Sequence, residues 1–240
     1  KKSLVARAAN MAASKGMLVL NAAGNDGESA WKYLGTPADA DSVLTVGGIS
    51  PETDFHISFS SYGPTADKRL KPNVCAFGAV VASGKKGLTT TYGTSFSTPL
   101  VAGFAACAWQ TNRGLNNMEL FKEIEKSADL YPYFDYAHGY GVPQADHFTN
   151  KQKHIMDTAF YFINKDGSLK VYIDEEKYIA EDIENRKMLY YHIENNKGYL
   201  DKYYVILAKK YNVLEFLLSD YAKGEKLRVH FNGFTDTFEF

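Results

Sequence analysis

Several things are scarce in this sequence, and each scarcity narrows the reading. Charge of one sign is missing: 27 Lys and Arg stand against 28 Asp and Glu, a formal net charge of −1. No basic cluster exceeds short pairs such as Lys85, Lys86 and Lys209, Lys210, which argues against a nucleic-acid partner or a polybasic membrane surface. No apolar run reaches the length of a membrane span, and no signal peptide is present. Cysteine is rare, with only Cys75 and Cys107; both lie in apolar surroundings and read as small buried residues, a disulfide between them staying open. The redox compartment is therefore not legible. There is no initiator Met, and the Ala-rich stretch Lys2 to Ser14, helical in character and closed by Gly16, starts almost at once. The chain thus begins inside an element, and residues preceding Lys1 in a parent protein are expected.

What is present suffices for a sizeable core: 240 residues, 45% of them apolar, allow one large or two ordinary domains. The most informative stretch is Gly93, Thr94, Ser95, Phe96, Ser97, Thr98, Pro99, followed by the apolar run Leu100 to Trp109. Gly93 permits a tight bend. Pro99 is expected in the first helical turn, where no backbone N–H is needed. Ser95 then sits at a helix N-terminus, where unpaired N–H groups and the positive end of the helix dipole face negative charge developing on a reacting carbonyl. Leu100 to Trp109 has no polar face and is slimmed by Ala102, Gly103, Ala105, Ala106 and Ala108, so this helix is expected to be buried on all sides.

Upstream, Met17 to Leu20 reads as a short buried strand feeding the turn Asn21, Ala22, Ala23, Gly24, Asn25, Asp26, Gly27. A helix, a strand and a Gly/Asn turn make half of a parallel-sheet unit, and ligands bind at the carboxyl ends of such strands. Val43 to Ile49 is a further strand. Asn116 with Glu119 forms a capping box opening a helix over Met118 to Ser127.

Residues 93–103 resemble the nucleophile motif of the subtilisin-like serine proteases, the subtilases, which reads Gly-Thr-Ser-x-Ser/Ala-x-Pro-x-Val-Ala-Gly. Ala22 to Gly27 resembles the family's Ala-Ala-Gly-Asn-x-Gly, Val43 to Gly47 its Val-x-x-Val-Gly, and Phe59 to Gly63 its Phe-Ser-x-x-Gly loop. Lys71 to Gly78 is similar to Lys-Pro-Asp-x-x-Ala-Pro-Gly, with Asn73 and Phe77 departing from it, and Gly139 to Ala145 loosely resembles the end of the catalytic domain. The resemblance implies Ser95 as nucleophile and Asn25 as the oxyanion donor, a neutral group that strengthens its bond as charge develops and does not titrate. It further implies substrate contacts at Ala22, Ala23, Gly24 and Thr94, with the first three walling the primary specificity pocket. No cofactor is required; structural calcium, common in the family, finds no spaced ligand set here, although Asp26, Asp39 and Asp41 are loop carboxylates. The resemblance also implies a protein or peptide substrate and a secreted, periplasmic or cell-surface location.

In this family the triad order is Asp, His, Ser, so the base and its carboxylate belong upstream of Asn25, where this chain has no histidine. His56, His138, His147, His154, His192 and His230 read as surface or turn residues. The Asp and His are expected from an N-terminal segment absent here, possibly held as a separate chain, and this chain alone is expected to be inactive.

Residues 148–157 read as a polar linker. Beyond it lie seven short runs rich in Tyr, Phe, Val and Ile, from Ala159 to Phe240, separated by turn signals such as Asp166, Gly167 and Asn232, Gly233. The expected architecture is therefore α/β: the C-terminal part of a subtilisin-like parallel-sheet domain over 1–147, then an all-β sandwich over 158–240. Two rivals stay beside the peptidase reading. One is an inactive binding or scaffold module on the same fold. The other places adhesion or glycan binding on the β-domain through its tyrosines, although aromatics are ordinary strand residues.

Overall fold

A computed structural model describes residues 3–149, 157–173, 187–208 and 213–240. It divides into two compact units, Lys1–Gln152 and Lys153–Phe240. Most of the stretch read as a linker, residues 150–156, lies outside the described residues.

In the first unit, helix α1 (Leu4–Ser14) is opened by Ser3, whose Oγ accepts from the Ala6 N–H at 3.1 Å, and closes into Gly16 at φ 93°. Strands β1 (Val19–Ala22), β2 (Val43–Ile49) and β3 (Val74–Phe77) form a parallel sheet in that order, with Val19 opposite Val43 and Val46 opposite Val74. The central strand β2 is buried at every residue, as a parallel strand covered on both faces must be. An antiparallel hairpin, β4 (Ala79–Gly84) and β5 (Gly87–Tyr92), leads into helix α2 (Thr94–Thr111). Helix α3 (Asn117–Ser127) and the short α4 (Asp146–Thr149) follow. Both halves of the Asn116–Glu119 capping box are made, and the core joins Leu44, Val46 and Val74 of the sheet to Val101 and Ala105 of α2 and Leu120 and Ile124 of α3.

Three expectations for this unit are corrected. Helix α2 is not buried on all sides: Val101, Ala105 and Ala108 face the core, while Leu100, Gly103, Ala106 and Cys107 lie on an exposed face. Its small residues let it pack closely on one side, and no polar pattern marks the other. Pro99 is the sixth helical residue, not a first-turn one, so the Ser95 carbonyl lacks the i+4 donor a helix would supply. Cys75 is buried but Cys107 is exposed, and both are free thiols.

The second unit is an all-β sandwich with seven strands among the described residues. Strands β6 (Phe160–Lys165), β7 (Ser168–Ile173) and β10 (Val213–Leu217) make one antiparallel sheet in the order β10-β7-β6. Strands β8 (Met188–Glu194), β9 (Leu200–Leu207), β11 (Lys226–Phe231) and β12 (Phe234–Glu239) make the other, in the order β12-β11-β8-β9. Two hairpins turn through the predicted residues, Asp166 and Gly167 at φ 53° and 78°, and Asn232 and Gly233 at φ 50° and 81°. Two consecutive positive φ values match the right-handed strand twist, which is why Asp-Gly and Asn-Gly suit these positions. Rings bridge the two sheets: Phe160 meets Phe234 edge-on at 5.1 Å, and Phe162 meets Phe238 at 5.9 Å. Of the tyrosines, Tyr161 and Tyr172 stack on each other at 5.6 Å, a cross-strand pair rather than a flat open platform.

The histidines His192 and His230 are buried here, and His138 is buried in the first unit, against the expectation of surface or turn positions. Alternation places a strand residue on a face but does not reveal what covers that face. Burial lowers His230 to a pKa of about 4, while its Nδ1 lies 2.7 Å from Thr235 Oγ1. The unfolded chain therefore binds the extra proton between pH 6.5 and about 4, and stability falls as pH drops through that window. A shift of this size corresponds to about 3 kcal/mol. Protection factors of the β11 and β12 amides, corrected for the intrinsic slowing of exchange in acid, should fall from pH 7 to 4.5, and His230→Gln should flatten that dependence; identical pH slopes in the two proteins would contradict it.

Candidate active site

The site is built where β5 ends and α2 begins. Gly93, the N-cap, has φ 142° and ψ 147°, a combination open to glycine alone, and its N–H donates to Gly78 O at 2.8 Å. This turn delivers Ser95 to the second position of α2, where its side chain is exposed. The N-cap Gly93 has no side chain to cap this N-terminus and no acidic residue sits in its first turn, so no charge of the helix itself offsets its positive end. Ser97 Oγ donates to Phe77 O at 3.1 Å and pins the same turn to β3.

Asn25 lies on the loop after β1, with Ala22 closing that strand and Ala23 donating to Val46 O at 2.9 Å. Ala23 is buried; Ala22 and Gly24 are half-buried and Asn25 is exposed. The Asn25 Oδ1 accepts from both the Thr94 N–H and the Thr94 hydroxyl, each at 2.9 Å. A backbone N–H only donates, so the atom facing it is the amide oxygen, and the NH₂ group must point the other way. It points along Gly93: a Cβ placed there would lie 3.4 Å from Nδ2. Ser95 and a pre-oriented amide donor thus flank the same turn.

Thr94 differs from the expectation of a substrate contact. It is 1% exposed, and its hydroxyl also lies 3.2 Å from Gly24 O and 3.3 Å from Gly24 N. Its polar atoms are turned inward on Asn25 and Gly24, which makes it a positioning residue. The sequence motif marks Thr94 as special but carries no information on which way it faces.

A second segment supports the Asn25 loop. The Gly27 N–H donates to Phe59 O at 2.8 Å, the Ser61 N–H to Gly24 O at 2.9 Å, and the Asp26 N–H to Ser61 Oγ at 3.0 Å. The Phe59 to Gly63 motif was legible as a loop, yet its role beneath Asn25 depends on pairing across more than thirty residues, as in the Asp26 to Ser61 bond with a separation of 35.

The first unit contains a histidine and a carboxylate in contact, but they serve the fold. Asp135 and His138 are both buried, with Nδ1 3.0 Å from Oδ2, and the His56 N–H donates to His138 Nε2 at 2.9 Å. That donor occupies the nitrogen a general base would offer to a serine. Burial opposes protonation of His138, but the Asp135 charge and hydrogen bond carry its pKa above the usual value; burial and the neighbouring His138 push His56 down to about 4. His147 pairs with Glu123 at 2.9 Å, and His154 lies outside the described residues. Among the described residues no histidine is hydrogen-bonded to Ser95.

Of Asp39 and Asp41, read as solvated or cation-binding, Asp41 pairs its carboxylate with an arginine, which meets Asp39 at its backbone carbonyl. Arg69 contacts Asp41 Oδ1 and Asp67 Oδ1, both at 2.9 Å, and donates to Asp39 O at 2.6 Å. A guanidinium filling that space does not fit a bound cation beside it. Among the described residues no group of three His, Cys, Asp or Glu side chains could hold a metal ion.

A serine at a helix N-terminus thus lies beside an amide held on the carboxyl end of a neighbouring parallel strand of an α/β sheet. The chain belongs to the Subtilase family, whose profile matches residues 1–142. It is 38% identical over 124 residues to the thermophilic serine proteinase of Bacillus sp. (strain AK1), covering 51% of this chain and 28% of that protein. It is 35% identical over 124 residues to subtilisin BL of Lederbergia lenta, covering 51% of this chain and 42% of that one. Among solved structures, Sphericase matches at 28% identity and a TM-score of 0.50, over 60% of this chain and 53% of that one. The match therefore spans less than half the length of each of these two relatives.

The Gly93 turn generates a stability prediction. Gly93→Ala forces a side chain into a φ of 142° and should cost about 1–3 kcal/mol. A lowered denaturant midpoint at unchanged slope is the expected result. An unaltered midpoint would mean the turn is not strained.

Proposed function

We propose that this chain carries the nucleophile and oxyanion side of a subtilisin-type serine endopeptidase. The observation that supports it best is the double hydrogen bond from Thr94 to Asn25 Oδ1, which leaves the amide NH₂ committed as a donor beside Ser95. In this reading Ser95 Oγ attacks the carbonyl carbon of a peptide bond while its proton passes to a histidine. The carbonyl oxygen becomes an oxyanion, held by Asn25 Nδ2 and the Ser95 N–H. The C–N bond then breaks, the histidine returns the proton to the leaving amine, and water hydrolyses the Ser95 ester by the reverse sequence of transfers. The histidine and its aspartate belong to a segment outside this sequence, and residues 1–240 alone are inactive on this account. Apolar surface supports such a covering segment: Leu4 is 79% exposed and Met11 64% on α1, and Leu100 is exposed on α2.

Ala22 and Gly24, half-buried at the carboxyl end of β1, face one wall of the primary specificity pocket with Ala23 buried behind them, and a protein or peptide is the substrate. No cofactor takes part. Secretion or a cell-surface location accords with the extracellular chemistry of such proteases; among the described residues no helix is long and apolar enough to cross a membrane.

The test uses the complete protease. A fluorophosphonate should label Ser95, and Ser95→Ala should abolish labelling while a substrate-like peptide still binds. Asn25→Ala should lower kcat about 10²- to 10³-fold with KM nearly unchanged, the loss established for such a donor in a subtilisin. A donor aimed at the tetrahedral oxygen contributes little to the planar ground state, which is the reason for the split. An effect on KM alone, or none, would make Asn25 a turn residue and overturn the assignment.

A further inference from the structure

An oxyanion donor has to be held in two ways: its side-chain torsions must be set, and so must the backbone that carries it. Thr94 fixes the Asn25 amide at its oxygen. The backbone is fixed elsewhere. Each peptide group is planar, so the conformation of Asn25 is defined by the two planes that flank it, one containing the Gly24 carbonyl and the other the Asp26 N–H. Both planes are hydrogen-bonded to the same residue. The Ser61 N–H donates to Gly24 O at 2.9 Å, and Ser61 Oγ accepts from the Asp26 N–H at 3.0 Å.

The clamp is a close one. Ser61 is 0% exposed, and a Cβ added to Gly24 would lie 2.7 Å from Ser61 Oγ, so the bare backbone at 24 is what lets the hydroxyl approach. The clamp is itself anchored from behind. Ser60 Oγ accepts from the Gly48 N–H at 2.9 Å in β2, the Ser60 carbonyl lies 2.9 Å from His56 Nε2, and His56 is tied to the Asp135–His138 pair. The Ser60–Ser61 pair thus connects the buried central strand to Asn25, and Ser61 is turned away from solvent.

We infer that Ser61 is a positioning residue for the oxyanion donor, its N–H and hydroxyl locking both peptide planes around Asn25 so that Nδ2 is aimed before substrate arrives. This rests on the reading of Asn25 as the donor. Its consequence is that the benefit of Ser61 to turnover passes through Asn25 and vanishes when Asn25 is gone.

A double-mutant cycle in the complete protease tests this. Ser61→Ala should lower kcat about tenfold, the size of one lost hydrogen bond, with KM within about twofold. In an Asn25→Ala background the same change should alter kcat by less than about twofold. A residue that merely supports the fold would give the same loss in both backgrounds, and that additivity would overturn the inference, as would an effect confined to KM. If Ser61→Ala fails to fold, Ser61→Cys fills the same space with a weaker acceptor and carries the cycle, with a smaller loss that again disappears without Asn25. The two readings fail separately. Absence of Ser95 labelling in the wild type, or an unchanged kcat in Asn25→Ala, overturns the site itself; normal results there with an additive cycle overturn only the role of Ser61.

Discussion

The two hydrogen bonds from Thr94 to Asn25 Oδ1 join segments 69 residues apart in the sequence, and the rest of the site depends on them. They form because β1 and α2 both pack on β2, which brings the carboxyl end of one to the amino end of the other. They also require glycine twice. Gly93 gives the backbone a turn no other residue adopts easily, and Gly24 removes the side chain that would push Ser61 away. Two loops distant in sequence are thereby hydrogen-bonded into one surface. Preorganisation of this kind matters because a donor that has to reorient as charge develops loses much of its effect.

Behind that surface polar groups of the interior tie α3 to the sheet. Lys71 is buried and donates to Val43 O and to Asn73 Oδ1, while Asn73 Nδ2 donates to Glu125 Oε1 at 2.7 Å. Burial lowers the Lys71 pKa to about 7 and raises that of Glu125, so desolvation presses both toward neutrality, and the amide between them satisfies each in either state. The Asn73 Oδ1 also accepts from the Thr45 N–H at 2.7 Å. A residue that departs from the family pattern thus makes a hydrogen-bonded bridge between β2 and α3. With Asp135 and His138 on the other side, the loop carrying Ser60 and Ser61 rests on groups that are buried and paired.

Much of this was legible in the residue pattern, and the failures share one cause. Ser95 at a helix start, Asn25 after a strand, the Asn116 capping box and the Asp-Gly and Asn-Gly hairpins are local features, in which neighbours in sequence are neighbours in space. Misread features depend on what arrives from elsewhere. Leu100 and Cys107 look as buried as Val101 because an apolar helix does not announce which face meets the sheet. His138, His192 and His230 lie in loops and strands whose covering elements are distant in sequence. Thr94 was recognisable as part of a motif, but its inward direction follows from Asn25, and Ser61 matters only because Gly24 and Asp26 lie against it.

The central claim is that Ser95 and Asn25 act on one carbonyl. A crystal structure of the complete protease with a peptide aldehyde added tests it most directly. The account predicts a covalent bond from Ser95 Oγ to the aldehyde carbon, with the resulting oxygen about 2.7–3.1 Å from both Asn25 Nδ2 and the Ser95 N–H. An adduct whose oxygen points away from Asn25, or an aldehyde bound without a bond to Ser95, would contradict it.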